Sequence, residues 1–192
     1  TYVVDDTGDV VTEDGSAGND TVEASVTYTL SANVENLKLT GTSDINGTGT
    51  NSDNFLQGNS GANTLSGSAG NDTIFAFGGD DFVYGGTGND LLYGDAGSDT
   101  NDGGAGDDQI RGGSGRDTFV FSASFGNDTI HDFTAGFDNI DLTALGVGSY
   151  STMLSNTADV GGNAVITIGS DTITLTGVTT AQLLEADFIG LT

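Results

Sequence analysis

Six aspartates and one asparagine recur every nine residues through the middle of the chain: Asn63, Asp72, Asp81, Asp90, Asp99, Asp108 and Asp117. A carboxylate can serve as acid, base, nucleophile or oxygen ligand. Hydrolysis of a glycoside needs one pair of carboxylates at a set separation, and a fixed period adds nothing to that chemistry. Ligation of a hard divalent cation does use many oxygens, six to eight of them for a large ion, in a tolerant geometry.

The residues around the carboxylates keep the same period. From Gly58 to Val120 the chain reads GNSGANTLS, GSAGNDTIF, AFGGDDFVY, GGTGNDLLY, GDAGSDTND, GGAGDDQIR and GGSGRDTFV. Gly stands fourth in every unit, at Gly61, Gly70, Gly79, Gly88, Gly97, Gly106 and Gly115. The eighth residue is apolar in six of the seven (Leu65, Ile74, Val83, Leu92, Ile110, Phe119), and Asn101 breaks the rule. No unit of nine residues can bury its own apolar face, so a period of this kind marks a solenoid of stacked units.

The pattern resembles the repeats-in-toxin (RTX) nonapeptide G-G-x-G-x-D-x-U-x, a calcium-binding repeat. The fold implied is all-β: a parallel β-roll with flanking β segments and a C-terminal β-rich cap. Six glycine-rich residues make a turn, because glycine accepts positive φ, and three make a short strand with its middle side chain inward. Two units complete a coil, so equivalent turns stack at ~4.8 Å, the inter-strand spacing. Asp72, Asp90 and Asp108 then share one column, and Asp81, Asp99 and Asp117 the other. Each adjacent pair of like charges costs roughly 3.5 kcal/mol at an effective dielectric of about 20. A divalent cation between the turns reverses that sign.

In proteins with this repeat, one ion sits between turns n and n+2. The earlier turn offers the carbonyls of its second and fourth residues, the later turn those of its first and third, and each offers its Asp. Carried over, the resemblance implies Ser68, Gly70 and Asp72 with Gly85, Thr87 and Asp90. Next come Gly86, Gly88 and Asp90 with Gly103, Ala105 and Asp108. The opposite column holds Phe77, Gly79 and Asp81 with Gly94, Ala96 and Asp99, then Asp95, Gly97 and Asp99 with Gly112, Ser114 and Asp117. At the ends stand Asn59, Gly61 and Asn63 with Ala76, Gly78 and Asp81, weaker for want of one charge, and Gly104, Gly106 and Asp108 with Asp128. Four to six calcium ions are expected.

Composition agrees with a calcium ligand and removes other partners. The 192 residues carry 28 acidic against 3 basic side chains, a formal charge of −25. Nucleic acid and anionic lipid are excluded as partners by that balance. There is no Cys, hence neither disulfide nor thiol chemistry, and Gly reaches 32 residues with no Pro. No apolar run approaches the ~18 residues of a membrane span.

Three segments are expected. Residues 1–57 are a lead-in of β structure with degenerate repeats, including an isolated unit at Gly15–Glu23. They hold a half-buried strand from Val22 to Leu30, further β at Val34, Leu37 and Leu39, and metal-free stacks of Asn. Thr1-Tyr2-Val3-Val4 reads like the end of a unit, so repeats are expected upstream in a larger protein. Residues 58–141 are the calcium-binding roll, whose last two units, Ala123–His131 and Phe133–Asp141, are displaced by insertions at Phe121-Ser122 and Asp132. Residues 142–192 form the cap: a hairpin of Ala164–Ile168 and Thr172–Leu175 about Gly169-Ser170-Asp171, then a short helix after Thr179 capped with Gln182. The ending Asp187-Phe188-Ile189-Gly190-Leu191 resembles the C-termini of one-step (type I) secreted RTX proteins.

His131 is the single histidine, and it reads as a strand-surface residue rather than a triad member. The glycine runs lack the Lys of a phosphate loop. No enzymatic activity is expected. The reading is a secreted calcium-binding module that folds on calcium outside the cell and supports export and stability of a larger protein. Its alternatives are the ancillary module of a secreted hydrolase or epimerase, and a self-assembling adhesin or surface-layer piece. Phe75, Leu91 and Tyr93 at outward positions of one sheet offer either a self-association face or a seat for the Ala24–Leu39 strands folded back over them.

Overall fold

A computed structural model describes residues 1–15 and 18–192; Ser16 and Ala17 of the isolated unit at Gly15–Glu23 lie outside the described residues. Short strands alternate between two parallel sheets. The first sheet stacks Tyr2–Val4, Thr21–Ala24, Asn36–Leu39, Phe55–Gln57, Thr73–Phe75, Leu91–Ala96, Gln109–Ser114 and Asn127–Ile130 in that order. The second stacks Tyr28–Thr29, Gly47–Thr48, Thr64–Ala69, Phe82–Thr87, Thr100–Ala105, Thr118–Val120 and Asn139–Asp141. The chain is all-β in plan, a parallel β-roll.

Eighth-position side chains line the interior between the sheets. Leu37, Leu56, Ile74, Leu92, Ile110 and Ile130 form one inward row, and Leu65, Val83, Phe119 and Ile140 belong to the other; all are buried. Each such side chain contributes roughly 1.5–3 kcal/mol on leaving water. A nine-residue repeat therefore folds only as part of a stack, since the row is its core.

The lead-in belongs to the same roll. Val22 pairs with Leu37 and Leu37 with Leu56, in continuous register with the array. The expected single strand Val22–Leu30 is two strands, Thr21–Ala24 in the first sheet and Tyr28–Thr29 in the second. A coil has to turn a corner after each short strand, and alternation of apolar residues cannot show where. For the same reason the Ala24–Leu39 strands extend the sheet and do not fold back over the outer aromatics. Phe75 and Tyr93 instead stack on each other, 4.4 Å between ring centres and nearly parallel, with Phe55 5.7 Å from Phe75.

The two insertions are absorbed without loss of register. Ile110 pairs with Ile130 and Phe119 with Ile140, so the later coils are longer by two and three residues. Buried Phe121, Phe125 and Phe133 fill the wider coil, with Phe121 edge-on to Phe125 at 5.0 Å.

The cap closes both sheets. The hairpin Asn163–Ile168 with Asp171–Leu175 forms as expected, and its second strand pairs parallel with Asn127–Ile130. Thr157–Val160 adds antiparallel to the hairpin, and Phe188–Ile189 continues the second sheet beside Asn139–Asp141. The expected helix after Thr179 is a single 3₁₀ turn, Thr180–Gln182, with the Thr179–Gln182 capping box in place. An α-helix not anticipated from the sequence occupies Tyr150–Ser155, capped by Ser149 and anchored by buried Met153. Its six residues are too few for a helical period to show.

Asn101 is the flaw in the interior. It is fully buried between Val83 and Phe119, and neither amide atom has a hydrogen-bond partner. An unpaired buried amide costs about 1–3 kcal/mol. Asn101→Val should raise stability by about 2 kcal/mol and the melting temperature by about 4–8 °C in saturating calcium. Differential scanning calorimetry checks this; a lower melting temperature would contradict the inward register.

Candidate metal centre

The sixth residues stack as two columns at one edge of each sheet. Asp72, Asp90, Asp108 and Asp128 form the first, and Asp81, Asp99, Asp117 and Asp138 the second. Each Oδ1 accepts the backbone amide of the sixth residue one coil earlier: Asn54 N to Asp72 (2.7 Å), Asp72 N to Asp90 (2.7 Å), Asp90 N to Asp108 (2.8 Å) and Asp108 N to Asp128 (2.9 Å). The second column repeats this with Asn63 N to Asp81 (2.6 Å), Asp81 N to Asp99 (2.9 Å), Asp99 N to Asp117 and Asp117 N to Asp138 (both 3.0 Å). One carboxylate oxygen thus fixes the side chain.

The other oxygen is left over. Oδ2 of Asp72, Asp81, Asp90, Asp99, Asp108 and Asp128 is buried without a partner. The backbone explains why. In the turns ending at these aspartates and at Asp117, the second and fourth residues are both left-handed: Ser68 and Gly70, Phe77 and Gly79, Gly86 and Gly88, Asp95 and Gly97, Gly104 and Gly106, Gly113 and Gly115, Ser124 and Gly126. In none of these turns does the second residue's N–H donate to the turn's own sixth-residue carboxylate; Gly113 N donates instead to Asp132 Oδ2 at 3.0 Å. A buried anionic oxygen without a donor is costly unless a cation meets it.

Carbonyls converge on the same spaces. A Cβ added to Gly85 would collide with Asp90 Oδ2 and stand 2.5 Å from the Gly103 carbonyl oxygen. At Gly94 the equivalent point lies 2.5 Å from Asp99 Oδ2 and 2.6 Å from the Gly112 carbonyl, and at Gly67 it meets Asp72 Oδ2 and the Gly85 carbonyl. Among the described residues no three His, Cys, Asp or Glu side chains gather. Two carboxylates per space and backbone carbonyls for the rest is a donor set that fits a hard cation such as calcium.

Three other turns are closed. Neither Asn59 nor Gly61 is left-handed, and Asn59 N donates to Asn63 Oδ1 at 2.9 Å. The Asn63 amide also donates to the Ile45 carbonyl (2.7 Å) and to Asn59 Oδ1 (3.1 Å). Thr50 N fills Asn54 Oδ1 in the same way at 2.6 Å. The expected grouping of Asn59, Gly61 and Asn63 with Ala76, Gly78 and Asp81 therefore lacks a free side-chain oxygen on its earlier turn. Asp138 is closed too: Thr134 N donates to its Oδ2 at 2.8 Å. What separates open from closed turns is the φ of the second residue, which the Gly-every-nine rule does not report.

Burial holds the column carboxyls well above the usual aspartate range. Asp81 and Asp117 rise to about 6, Asp72, Asp99 and Asp108 to about 7, and Asp128 to about 8, with burial the main cause in each and the neighbouring aspartates adding to it. Asp90 is raised by burial as well. A folded-state pKa above the unfolded ~3.9 means that the metal-free roll binds more protons than the unfolded chain. The contribution of these carboxyls to its stability is therefore fully present below about pH 4 and is lost as pH climbs through the 6–8 window. Acidifying the chain from about pH 8 to about pH 5 in a chelator should increase far-ultraviolet β signal; a decrease would contradict the burial of these carboxyls.

A parallel roll with two columns of half-satisfied carboxylates, backed by carbonyls, defines a metal-binding β-solenoid. The chain belongs to the RTX calcium-binding nonapeptide-repeat family: the family model matches residues 48–81, 75–109 and 85–119. The AlgE6R3 subunit of the Azotobacter vinelandii mannuronan C5-epimerase is similar in structure, at 30% identity over 74% of this chain and 80% of that one, with a TM-score of 0.50. The AlgE6R2 subunit of the same enzyme gives 24% identity over 77% and 93%, TM-score 0.47. Extracellular lipase LipA from Serratia marcescens gives 17% identity over 91% and 43%, TM-score 0.40. No curated protein sequence matches the chain. Among the described residues no helix is long and apolar enough to cross a membrane.

Proposed function

We propose that the chain binds five calcium ions, each between two open turns of one column, and that this binding drives its folding. The spaces are Asp72–Asp90, Asp90–Asp108 and Asp108–Asp128 in the first column and Asp81–Asp99 and Asp99–Asp117 in the second. The carrying observation is the row of buried, unpartnered Oδ2 atoms. Bound calcium supplies positive charge that neutralises the columns. The protein's part is to fix each Oδ1 by an inter-coil amide and to hold the second and fourth residues left-handed, so that Oδ2 stays open. Equilibrium dialysis against radioactive calcium should count five ions per chain; two or fewer would overturn the assignment.

The setting is outside the cell, where calcium is plentiful, with the chain supporting a larger protein. Export by a one-step route would act on the unfolded chain. Supporting this, the ending that resembles an export signal is tied into the fold: Asp187 is buried and accepts Gly136 N at 2.7 Å, and Phe188 is buried beside Ile140. The likeness to an epimerase subunit favours a second reading, an ancillary module of a larger carbohydrate-active enzyme. The Phe55, Phe75 and Tyr93 stack is the face through which a self-assembling role would act.

A further inference from the structure

The two columns of turns differ in one respect that the sixth residues do not show. In the first column the fifth residues are Asp53, Asn71, Asn89, Asp107 and Asn127, and they form an unbroken ladder. Asn71 N donates to Asp53 Oδ1 (2.7 Å), Asn89 N to Asn71 Oδ1 (2.8 Å), Asp107 N to Asn89 Oδ1 (3.0 Å) and Asn127 N to Asp107 Oδ1 (2.8 Å). Thr172 Oγ1 then donates to Asn127 Oδ1 (3.0 Å), which ties the ladder to the cap. Here the earlier coil accepts from the later one, the reverse of the sixth-residue bonds. Adjacent residues thus clip each pair of coils in both directions.

In the second column the fifth residues are Asp44, Ala62, Asp80, Ser98 and Arg116. Ala62 N donates to Asp44 Oδ1 (2.9 Å) and Ser98 N to Asp80 Oδ1 (2.8 Å). The methyl of Ala62 offers Asp80 no acceptor, and among the described residues no bond joins Arg116 N to Ser98. The Arg116 guanidinium turns away over the Phe137 ring at 5.0 Å. Of the five spaces proposed for calcium, only Asp99–Asp117 is spanned by no fifth-residue rung.

We propose that the fifth residue is a metal-independent positioning residue, and that the missing rung between Ser98 and Arg116 makes the Asp99–Asp117 space the weakest of the five and the last to fill. This rests on the calcium reading above. A rung needs no cation: it holds the fifth amide, and with it the next residue's carboxylate, in register with the neighbouring coil. Where it is present, less disorder remains for the ion to remove on binding. Where it is absent, the two turns keep the bonds Asp99 N to Asp117 Oδ1, Gly97 N to Ser114 O and Ser114 Oγ to Asp95 O but lack this clip, so more of their alignment falls to the ion.

Amide hydrogen exchange by NMR on the whole chain, titrated with calcium, tests this. The Asp90 amide reports the Asp90–Asp108 space and the Asp99 amide the Asp99–Asp117 space. At sub-saturating calcium the Asp99 amide should exchange about five-fold faster than the Asp90 amide, the worth of one modest hydrogen bond. Ser98→Asn, on an exposed site, supplies the missing acceptor and should bring Asp99 to the rate of Asp90. Arg116→Gln, which removes the charge but adds no acceptor, should close less of the gap. Asn89→Ala should loosen Asp90 by a similar factor. Equal rates in the unsubstituted chain, or no effect of Ser98→Asn, would overturn the ladder's role while leaving calcium binding intact. No response of any amide to calcium would overturn both.

Discussion

Asp90→Ala is expected to remove two calcium ions and to destabilise the calcium-loaded roll by about 3 kcal/mol at tenfold excess over the dissociation constant, since each ion then adds roughly 1.4 kcal/mol. Asp90 stands between Asp72 and Asp108, so its Oδ2 and the turn it closes border two spaces. It also takes Asp72 N on Oδ1, and alanine leaves that amide unpaired. Asp117→Ala removes one space only, because the next residue of that column, Asp138, has both oxygens occupied by Asp117 N and Thr134 N. Its cost should be about half. Calcium dependence distinguishes this from ordinary loss of packing: in a chelator at neutral pH, where the roll is unfolded with or without Asp90, the substitution should change nothing. Thermal melts of both variants with and without calcium check the pair; equal costs for Asp90→Ala and Asp117→Ala would contradict the column assignment.

Removal of calcium altogether should have the largest effect. Five ions at tenfold excess add about 7 kcal/mol, within the 5–15 kcal/mol range of a whole domain's stability. Strands of three to six residues with a single inward row on each sheet give the metal-free coils little apolar area to offset chain ordering. The end segments have more. Residues 142–192 carry an antiparallel hairpin with Ala164, Ile166, Ile173 and Leu175 buried, and the Asn54 and Asn63 turns are closed by their own amides. In excess chelator the coils from Gly67 to Asp128 should lose protection first and together, with the cap hairpin retaining more. Hydrogen exchange read by mass spectrometry would show this as a block of fast-exchanging peptides.

Much of this was legible because each coil is short. A strict period, with glycine fourth and an apolar residue eighth, announces both the stack and its inward row, and the position of Asn101 gave away the defect in that row. The aspartate columns followed from counting eighteen, and even the displaced Asp128 and Asp138 rejoined them. What the period could not carry was backbone conformation. Ser68, Phe77 and Asp95 adopt left-handed φ without being glycine, whereas Asn59 and Gly61 do not adopt it at all, so open and closed turns look alike in sequence. The Tyr150–Ser155 helix and the corner between Thr21–Ala24 and Tyr28–Thr29 were hidden for a different reason. Each depends on where neighbouring coils place the chain, and three to six residues are too few for a local pattern to decide it.

On this reading, ion binding at the aspartate columns and folding of the roll are one event. A calcium titration of the whole chain, started in excess EDTA and followed by far-ultraviolet circular dichroism, tests it most directly. The β signal should rise in one cooperative step in the ~10⁻⁴–10⁻³ M range usual for extracellular calcium modules. A full β signal persisting in excess EDTA at neutral pH would contradict it.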